Sequence, residues 1–225
     1  MQLLARPQAV VFDMDGLMLD SERALLGCLE QAAQSHGLVL ERSLLLSLIG
    51  SPDAVTRQKL ADVLGLARTD TLLADSYARY GAIVDAGVPL RPGIIELLEL
   101  LDQHGIPRAV ATATRSPLAQ RKLAAAGLLS YFQFVATSTD VAHSKPAPDI
   151  YLHAARGLGV DPVHCLALED SPTGVRAALA AGMTTIQIPD LLEPDEQVRG
   201  LGHHITTSLH DVHGLLLPWL SATTA

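Results

Sequence analysis

The sequence predicts an α/β fold in which a core of parallel strands is interrupted by an inserted α-helical cap. From residue 94 onwards, short apolar runs alternate with amphipathic helices, which is typical of βαβ units and a mostly parallel sheet. The stretch from 21 to 90 instead repeats apolar residues at helical spacing throughout. Because this stretch directly follows the first predicted strand, we interpret it as an insertion into the α/β core.

The first strand is predicted over residues 9–12 (AVVF), an apolar run that ends at Asp13 and has the composition of a buried strand. The inserted helical stretch begins at Ser21 and ends near Val88. Breaks that divide it into about four helices lie at Gly37, at Gly50-Ser51-Pro52 and at Gly65.

Further strands are predicted in the second part of the chain, each as a short apolar run. They lie at residues 108–112 (RAVAT), 134–137 (FVAT), 165–168 (CLAL) and 184–189 (TTIQIP). The helices between them are predicted at residues 94–101, from Ser116, from Pro148 to about Arg156, and from Ser171 to Gly182. At Ser116 and at Ser171 a proline follows the serine. We therefore expect the serine to cap the helix and the proline to take its first position.

These elements divide the chain into two predicted domains. Residues 1–19 and 91–225 form the α/β core, and residues 20–90 form the helical cap. The junctions between them are expected at 16–20, where a glycine follows the first strand, and at 88–93, where two prolines and a glycine interrupt the helical pattern.

Composition excludes several classes of partner. The chain of 225 residues has 16 Lys and Arg against 24 Asp and Glu, a net charge of −8. Nucleic acids and anionic membranes bind basic surfaces, so neither is an expected partner. The apolar runs are too short to cross a bilayer, and the amino-terminal stretch does not have the pattern of a secretory signal. The two cysteines suggest no disulfide framework. We expect a cytoplasmic protein that is a monomer or a weak dimer.

Reactive side chains follow four of the predicted strands. In an open parallel sheet, ligands bind outside the carboxyl ends of the strands. The residues that the sequence places there are Asp13, Asp15, Thr112, Lys145, Glu169 and Asp170. Each of them alone has an ordinary explanation, such as a solvated turn for Asp-x-Asp, a surface lysine, or acidic residues before a helix. Together, at corresponding strand ends, they predict one active site.

The charges of this group indicate a metal ion and a phosphate. Four carboxylates at contact distance would raise one another's pKa unless a cation lies between them. Mg²⁺ is the expected cation, because it prefers oxygen ligands and is usually shared with a substrate phosphate. Lys145 adds a positive charge for that phosphate. The helix predicted after Ser116 offers free N–H groups to an anion.

Four segments of the sequence resemble the motifs of one known family. They are VVFDMDGLMLDSE, VATATRS, SKPAPDIY and ALEDSPTGVRAALAAGM. The chain resembles the haloacid dehalogenase-like superfamily, in the branch with a helical cap inserted after the first strand of a Rossmann-like core. The resemblance covers the whole chain and is weaker in the cap. It is closest to β-phosphoglucomutases and to phosphatases of sugar phosphates and nucleoside monophosphates.

The resemblance implies a role for each motif residue. Asp13 is the nucleophile that forms an aspartyl-phosphate, and Asp15 is the general acid and base. Lys145 orients Asp13 and the phosphate, and Thr112 and the Ala113 N–H hold phosphoryl oxygens. The implied Mg²⁺ ligands are Asp13, the backbone carbonyl of Asp15, and Asp170, with Glu169 in or beside that shell. Apart from these implied roles, Glu22 and Arg115 are candidates for contact with the leaving group because they lie next to the motif residues.

The acid at position 15 favours phosphoryl transfer over dehalogenation, because an alkoxide needs a proton to leave and a halide does not. The predicted function is a Mg²⁺-dependent phosphatase acting on a small phosphorylated metabolite, such as a sugar phosphate, phosphoglycolate or a nucleoside monophosphate. Two alternatives are a phosphosugar mutase and a catalytically silent protein that binds a phosphometabolite. By the resemblance, a mutase would have a histidine and an arginine near Leu25 and Asp53, so these two residues favour hydrolysis.

Overall fold

The computed structural model describes residues 6–51 and 53–221, and over these residues it forms a six-stranded parallel sheet flanked by helices. The strand order is β3-β2-β1-β4-β5-β6, and every neighbouring pair is parallel. The strands are β1 (Ala9–Phe12), β2 (Arg108–Thr112), β3 (Phe134–Thr137), β4 (Cys165–Glu169), β5 (Thr184–Gln187) and β6 (His204–Ile205). This confirms the predicted α/β fold.

The central strand β1 shows why the sheet is buried on both faces. Successive side chains of a strand point to opposite faces. Val10 and Phe12 pack into an apolar cluster on one face, and Ala9 and Val11 pack into a second cluster on the other. None of the four has exposed surface, which accounts for the continuous apolar run in the sequence.

Along the chain, four helices separate β1 from the other strands, as the spacing of apolar residues predicts. They are α1 (Ser21–Ser35), α2 (Arg42–Leu48), α3 (Asp53–Leu64) and α4 (Leu66–Ala86). We call these four helices the helical insert. The insert has an apolar cluster of its own, in which Leu29 of α1, Leu60 of α3 and Leu72 of α4 are buried against one another. Its helices are therefore held together by packing that does not involve the sheet.

The remaining helices follow the strands in the second part of the chain. They are α5 (Ile94–Gln103), α6 (Leu118–Ala125), α7 (Asp149–Leu158), α8 (Pro172–Ala180), α9 (Glu196–Arg199) and α10 (Leu209–Ser221). Ser171 caps α8 as predicted, since its side chain accepts a hydrogen bond from the Gly174 N–H. The same prediction for Ser116 is wrong, because α6 begins only at Leu118 and Ser116 belongs to the exposed loop before it. Strand β6 and helices α9 and α10 were not predicted.

The two segments that join the helical insert to the core lie side by side. The Asp20 N–H donates to the carbonyl of Pro89 at 2.8 Å, and the Arg91 N–H donates to the carbonyl of Met18 at 2.8 Å. Asp190, in the loop after β5, pairs with Arg23 of α1 at 2.5 Å and with Arg91 at 2.7 Å. Both connections are therefore tied to the carboxyl end of the sheet. Within the described residues, no helix has the length and apolar character to span a membrane.

Candidate active site

The parallel sheet brings the predicted site residues to one edge. Asp13 directly follows β1, and its N–H donates to the carbonyl of Leu168 in the adjacent strand β4 at 2.9 Å. Thr112 is the last residue of β2, and Glu169 is the last residue of β4. Lys145 arrives from the loop between β3 and α7. The four residues come from four separate segments of the chain, and the strand order places them together.

Lys145 joins two of these carboxylates. Its Nζ lies 2.5 Å from Asp13 Oδ1 and 2.6 Å from Glu169 Oε1. All three side chains are nearly or fully removed from solvent. Burial opposes charge on Lys145, but the charges on Asp13 and Glu169 dominate and raise the pKa of its ammonium above the ordinary value. Lys145 is therefore a fixed positive charge between the two carboxylates.

Both carboxylate oxygens of Glu169 accept hydrogen bonds from other residues of the protein. Besides Lys145, the Tyr151 hydroxyl donates to its Oε1 at 2.8 Å, and the Ser171 N–H and hydroxyl donate to Oε2 at 2.9 and 3.0 Å. Helix α8 passes very close to it, since a Cβ at Gly174 would lie 1.7 Å from Glu169 Oε1. The side chain is thus held beside Asp13, where it adds negative charge and orients Lys145.

Asp170 and Asp13 retain carboxylate oxygens for a metal ion. Burial raises the pKa of Asp13 to about 8, and the Glu169 charge adds to this while Lys145 opposes it. Burial also raises the pKa of Asp170 well above its ordinary value, and the charges on Glu169 and Asp13 raise it further. One ammonium does not balance this group of buried carboxylates, and a divalent cation would.

The oxygen atoms of the site are compatible with the Mg²⁺ ligands that the resemblance implies. The described residues contain no group of three His, Cys, Asp or Glu side chains arranged to hold a metal ion. Glu169 is turned to Lys145 and Tyr151, and the Asp15 carboxylate is turned to other partners, described next. The oxygen ligands that remain are Asp13, Asp170 and the backbone carbonyl of Asp15. Mg²⁺ commonly takes one or two carboxylates and completes its shell with waters and a phosphate.

The Asp15 carboxylate is held on both oxygens. Thr114 Oγ1 donates to Oδ2 at 2.6 Å, and Lys122 Nζ lies 2.6 Å from Oδ1. Burial raises the pKa of Asp15, but the charge and hydrogen bond of Lys122 and the hydroxyl of Thr114 outweigh it and lower the pKa below its ordinary value. In this arrangement Asp15 is a carboxylate, and its pKa is shifted in the opposite direction from that of Asp13 two residues earlier.

A glycine allows the loop after β1 to approach the residue that follows β4. Gly16 has a φ of 87°, and a Cβ there would lie 2.2 Å from Asp170 Oδ2. The backbone of the loop after β1 therefore approaches Asp170 more closely than any side chain would permit. This close approach brings the backbone that follows Asp15 next to the Asp170 carboxylate.

The candidate phosphate-binding residues lie in the loop after β2. Thr112 is buried, and its Oγ1 accepts a hydrogen bond from the Thr114 N–H at 3.0 Å, which bends the loop back toward the strand. Ala113 and Arg115 are exposed at the open end of the same loop. Arg115 is close to Thr112 in the sequence, but its side chain makes no hydrogen bond to any other predicted site residue within the described part of the chain.

A pocket lies within the helical insert. Glu22 lines it, and burial raises the pKa of Glu22, with further contributions from the charges on Asp15 and Asp190. Leu25 and Asp53, the two residues singled out in the sequence, line the same pocket. Its other lining residues are Leu26, Leu29, Leu48, Gly50, Ser51, Thr56, Leu73, Ser76 and Tyr77. Among the residues that the structure describes, the pocket is therefore lined by apolar side chains, by hydroxyl groups and by two carboxylates, and by no cationic side chain.

Sequence reasoning missed Thr114, Lys122 and Tyr151. Thr114 stands within a segment that was singled out, between Ala113 and Arg115. Tyr151 is likewise the last residue of the segment SKPAPDIY, but no role follows for it from the sequence. Lys122 lies inside α6, where nothing in the local pattern distinguishes it from a surface lysine. Their roles become visible only once the strand order brings α6 and α7 to the carboxylates.

Comparison with known proteins gives a consistent picture. The family model described as haloacid dehalogenase-like hydrolase matches residues 7–182. The fructose-1-phosphate phosphatase YqaB of Escherichia coli (strain K12) is 33% identical over 81% of this chain and 97% of its own length. Hexitol phosphatase A of the same organism is 34% identical over 81% of this chain and 83% of its own.

A solved structure agrees with these relatives. A HAD family hydrolase from Deinococcus radiodurans R1, crystallised with bound phosphate and sodium, superposes with a TM-score of 0.80 at 28% identity. The match covers 96% of this chain and 97% of that one. It therefore includes the helical insert as well as the sheet.

The contact between α8 and Glu169 generates a test of the site. We expect Gly174→Ala to lower the free energy of unfolding by about 1–3 kcal/mol, because its methyl group overlaps the buried carboxylate. Most of the phosphatase activity should be lost too, since Glu169 must move away from Lys145. Urea unfolding and turnover of p-nitrophenyl phosphate measure the two effects. Thr173→Ala, an exposed neighbour on the same helix, is the matched control. Wild-type turnover in Gly174→Ala would contradict the assigned role of Glu169.

Proposed function

The chain belongs to the haloacid dehalogenase-like hydrolase family, and we propose that its phosphatase activity uses Asp13 as a covalent nucleophile on a small sugar-phosphate ester. The observation that carries this proposal is the position of Asp13. It is buried at the carboxyl end of the central strand, 2.5 Å from Lys145, with a second carboxylate, Asp15, on the same loop. This arrangement offers one carboxylate for attack and another for proton transfer.

In the first proposed step, Asp13 attacks phosphorus. A bond forms between the carboxylate oxygen and phosphorus, and the bond from phosphorus to the ester oxygen breaks. Asp15 gives its proton to the departing alkoxide. Lys145 stabilises the negative charge of the phosphoryl oxygens, and Thr112 and the Ala113 N–H are proposed to hold those oxygens.

In the second proposed step, water attacks the phosphorus of the aspartyl-phosphate, and Asp13 is released with inorganic phosphate. Asp15 now accepts the proton of the water. The carboxylate form in which Lys122 and Thr114 hold Asp15 is the form required here. For the first step it must carry a proton, which the leaving alkoxide then takes.

We propose Mg²⁺ as the cofactor. Asp13, Asp170 and the backbone carbonyl of Asp15 would hold it, with Glu169 beside them. When bound, the ion supplies positive charge against the carboxylates and the transferring phosphoryl group. The raised pKa values of Asp13 and Asp170 support this proposal, because Asp13 is buried, Asp170 is partly buried, and too little positive charge surrounds them.

The pocket beside Glu22 supports an uncharged, hydroxyl-rich leaving group. Its carboxylates and hydroxyls would accept and donate hydrogen bonds to sugar hydroxyls, and its leucines would cover the carbon chain. Two carboxylates without a cation among the described lining residues disfavour the carboxylate of phosphoglycolate. The named substrates of the relatives, fructose 1-phosphate and hexitol phosphates, belong to the favoured class.

We also propose that residues 20–90 form a cap over a core made of residues 1–19 and 91–225. The separate apolar cluster of the helical insert and the paired connecting segments support this division. The cap would supply the leaving-group pocket and exclude bulk water from the aspartyl-phosphate. The net charge of −8 is in keeping with a cytoplasmic monomer or weak dimer that binds neither nucleic acid nor membranes.

The nucleophile proposal predicts that Asp13→Asn abolishes turnover without unfolding the protein. The amide keeps the shape of the side chain and removes its nucleophilic charge. The two effects are measured by phosphate release from a panel of esters (fructose 1-phosphate, a hexitol phosphate and β-glucose 1-phosphate) and by thermal unfolding. Asp140→Asn is a control, because that aspartate lies outside the site and bonds only to Thr137. Substantial turnover by Asp13→Asn would refute a covalent mechanism on this residue.

The cofactor proposal predicts that chelation removes the activity and that added Mg²⁺ restores it. Ca²⁺ should inhibit, because its looser and higher coordination misplaces the attacking oxygen. Asp170→Asn should weaken Mg²⁺ binding in a calorimetric titration, which does not depend on turnover. Full activity after exhaustive chelation would exclude Mg²⁺ as a required cofactor.

Hydrolysis and mutase activity are separated by their products. We expect free phosphate from one or more of fructose 1-phosphate, a hexitol phosphate and β-glucose 1-phosphate, with little from phosphoglycolate or nucleoside monophosphates. A mutase must bind a second phosphate in the leaving-group pocket, where Glu22 and Asp53 would repel it. The decisive assay is β-glucose 1-phosphate with Mg²⁺ and a trace of the 1,6-bisphosphate. Glucose 6-phosphate that accumulates faster than free phosphate would show a mutase instead.

A further inference from the structure

Lys122 is a buried cation that the proposed reaction does not yet use. It lies on α6, its side chain is only 6% exposed, and its Nζ lies 2.6 Å from Asp15 Oδ1. The ammonium also lies 5.1 Å from the ring centroid of Tyr80, a residue of α4 in the helical insert. One side chain of the core thus contacts both the proposed acid and base and the insert above it.

Burial of this lysine requires the carboxylate that it contacts. An ammonium removed from water is costly unless a negative charge and an aromatic face compensate for the lost hydration. Asp15 supplies the charge and Tyr80 supplies the face. The arrangement is reciprocal, since Asp15 is itself held between Lys122 and the Thr114 hydroxyl, and each carboxylate oxygen has one donor.

An alternative explanation is that Lys122 simply attaches α6 to the insert. The adjacent residue already provides such an attachment, because Arg121 on α6 pairs with Asp85 on α4 at the surface. Lys122 differs from Arg121 in its burial and in its partner. Arg121 is about half exposed and contacts no residue of the site, whereas Lys122 is enclosed and contacts Asp15.

We propose that Lys122 is a positioning residue for the phosphatase reaction, which acts through Asp15 and is itself held in place by Tyr80 of the helical insert. Lys122 and Thr114 together fix the rotation of the carboxylate, so that it meets the leaving oxygen and then the attacking water in one orientation. The contact with Tyr80 makes this orientation depend on the seating of the insert. The inference rests on the proposed role of Asp15.

The test compares two leaving groups. Kinetics with the alkyl ester that the panel shows to be hydrolysed fastest are measured beside kinetics with p-nitrophenyl phosphate, whose leaving group needs little protonation. The readout is kcat/KM, because it reports the phosphoryl-transfer step and not the later hydrolysis of the aspartyl-phosphate. We expect Lys122→Met to lower kcat/KM on the order of 10- to 100-fold for the alkyl ester, less than the roughly 10²–10⁴-fold that complete loss of general acid catalysis costs, and several-fold less for the aryl ester.

Three further variants complete the design. Lys122→Arg should recover part of the alkyl-ester activity, because it restores a cation beside Asp15. The ratio of kcat/KM for the alkyl ester to kcat/KM for the aryl ester is called the alkyl-to-aryl ratio. Tyr80→Leu should lower this ratio by a smaller factor than Lys122→Met. Arg121→Met, the matched control on the neighbouring residue, should leave the ratio unchanged. Circular dichroism and thermal unfolding identify any variant that fails to fold, in which case Lys122→Gln replaces Lys122→Met.

Asp15→Asn separates this inference from the proposed function. If Asp15→Asn lowers the alkyl-to-aryl ratio and adding Lys122→Met to it causes little further loss, Lys122 acts through Asp15. If Asp15→Asn lowers the ratio but Lys122→Met leaves it at the wild-type value or lowers both rates equally, the inference about Lys122 is wrong and the role of Asp15 stands. If Asp15→Asn itself leaves the ratio unchanged, the acid role of Asp15 is wrong and the inference falls with it.

Discussion

The need to balance buried negative charge at one edge of the sheet governs this structure. Asp13, Glu169 and Asp170 are brought together by strands β1 and β4, and Lys145 alone lies between two of them. Buried carboxylates are stable only with partners, and the surrounding elements are built to supply them. Tyr151 and the cap of α8 satisfy Glu169, and Gly174 and Gly16 leave room for Glu169 and Asp170. The negative charge that the protein leaves unbalanced would attract a magnesium ion, which could then bind a substrate phosphate.

The pKa values of two carboxylates on one loop are shifted in opposite directions. Asp13 has burial and a like charge beside it, and its pKa rises to about 8. Asp15 is only partly buried, and Lys122 and Thr114 bind its two oxygens, so its pKa falls. Environments that separate a pair of acids in this way commonly assign them different tasks. The difference agrees with the roles proposed for the two residues, Asp13 as the nucleophile and Asp15 as the proton-transfer group.

Much of the fold and part of the site could be predicted from the sequence. Strand β1 and the strand ends at Asp13, Thr112 and Glu169 follow from apolar runs that stop at a polar residue, which is a local signal. The use of Glu169 was harder to foresee, because its side chain turns to Tyr151 and Ser171, and no local pattern encodes that rotation. Lys122 was missed for a related reason. It reaches Asp15 across 107 positions of the chain, and within α6 it resembles any helical lysine.

The central claim is that Asp13 carries the phosphoryl group during turnover. The most direct measurement is to quench the enzyme with acid during hydrolysis of its best ester, reduce the acyl phosphate with borohydride, and map the product by mass spectrometry. Reduction converts a phosphorylated aspartate to homoserine. If Asp13 is the nucleophile, homoserine should appear at position 13 only when substrate is present, and should be absent from an unreacted control. Homoserine at another aspartate, or none while turnover continues, would contradict it.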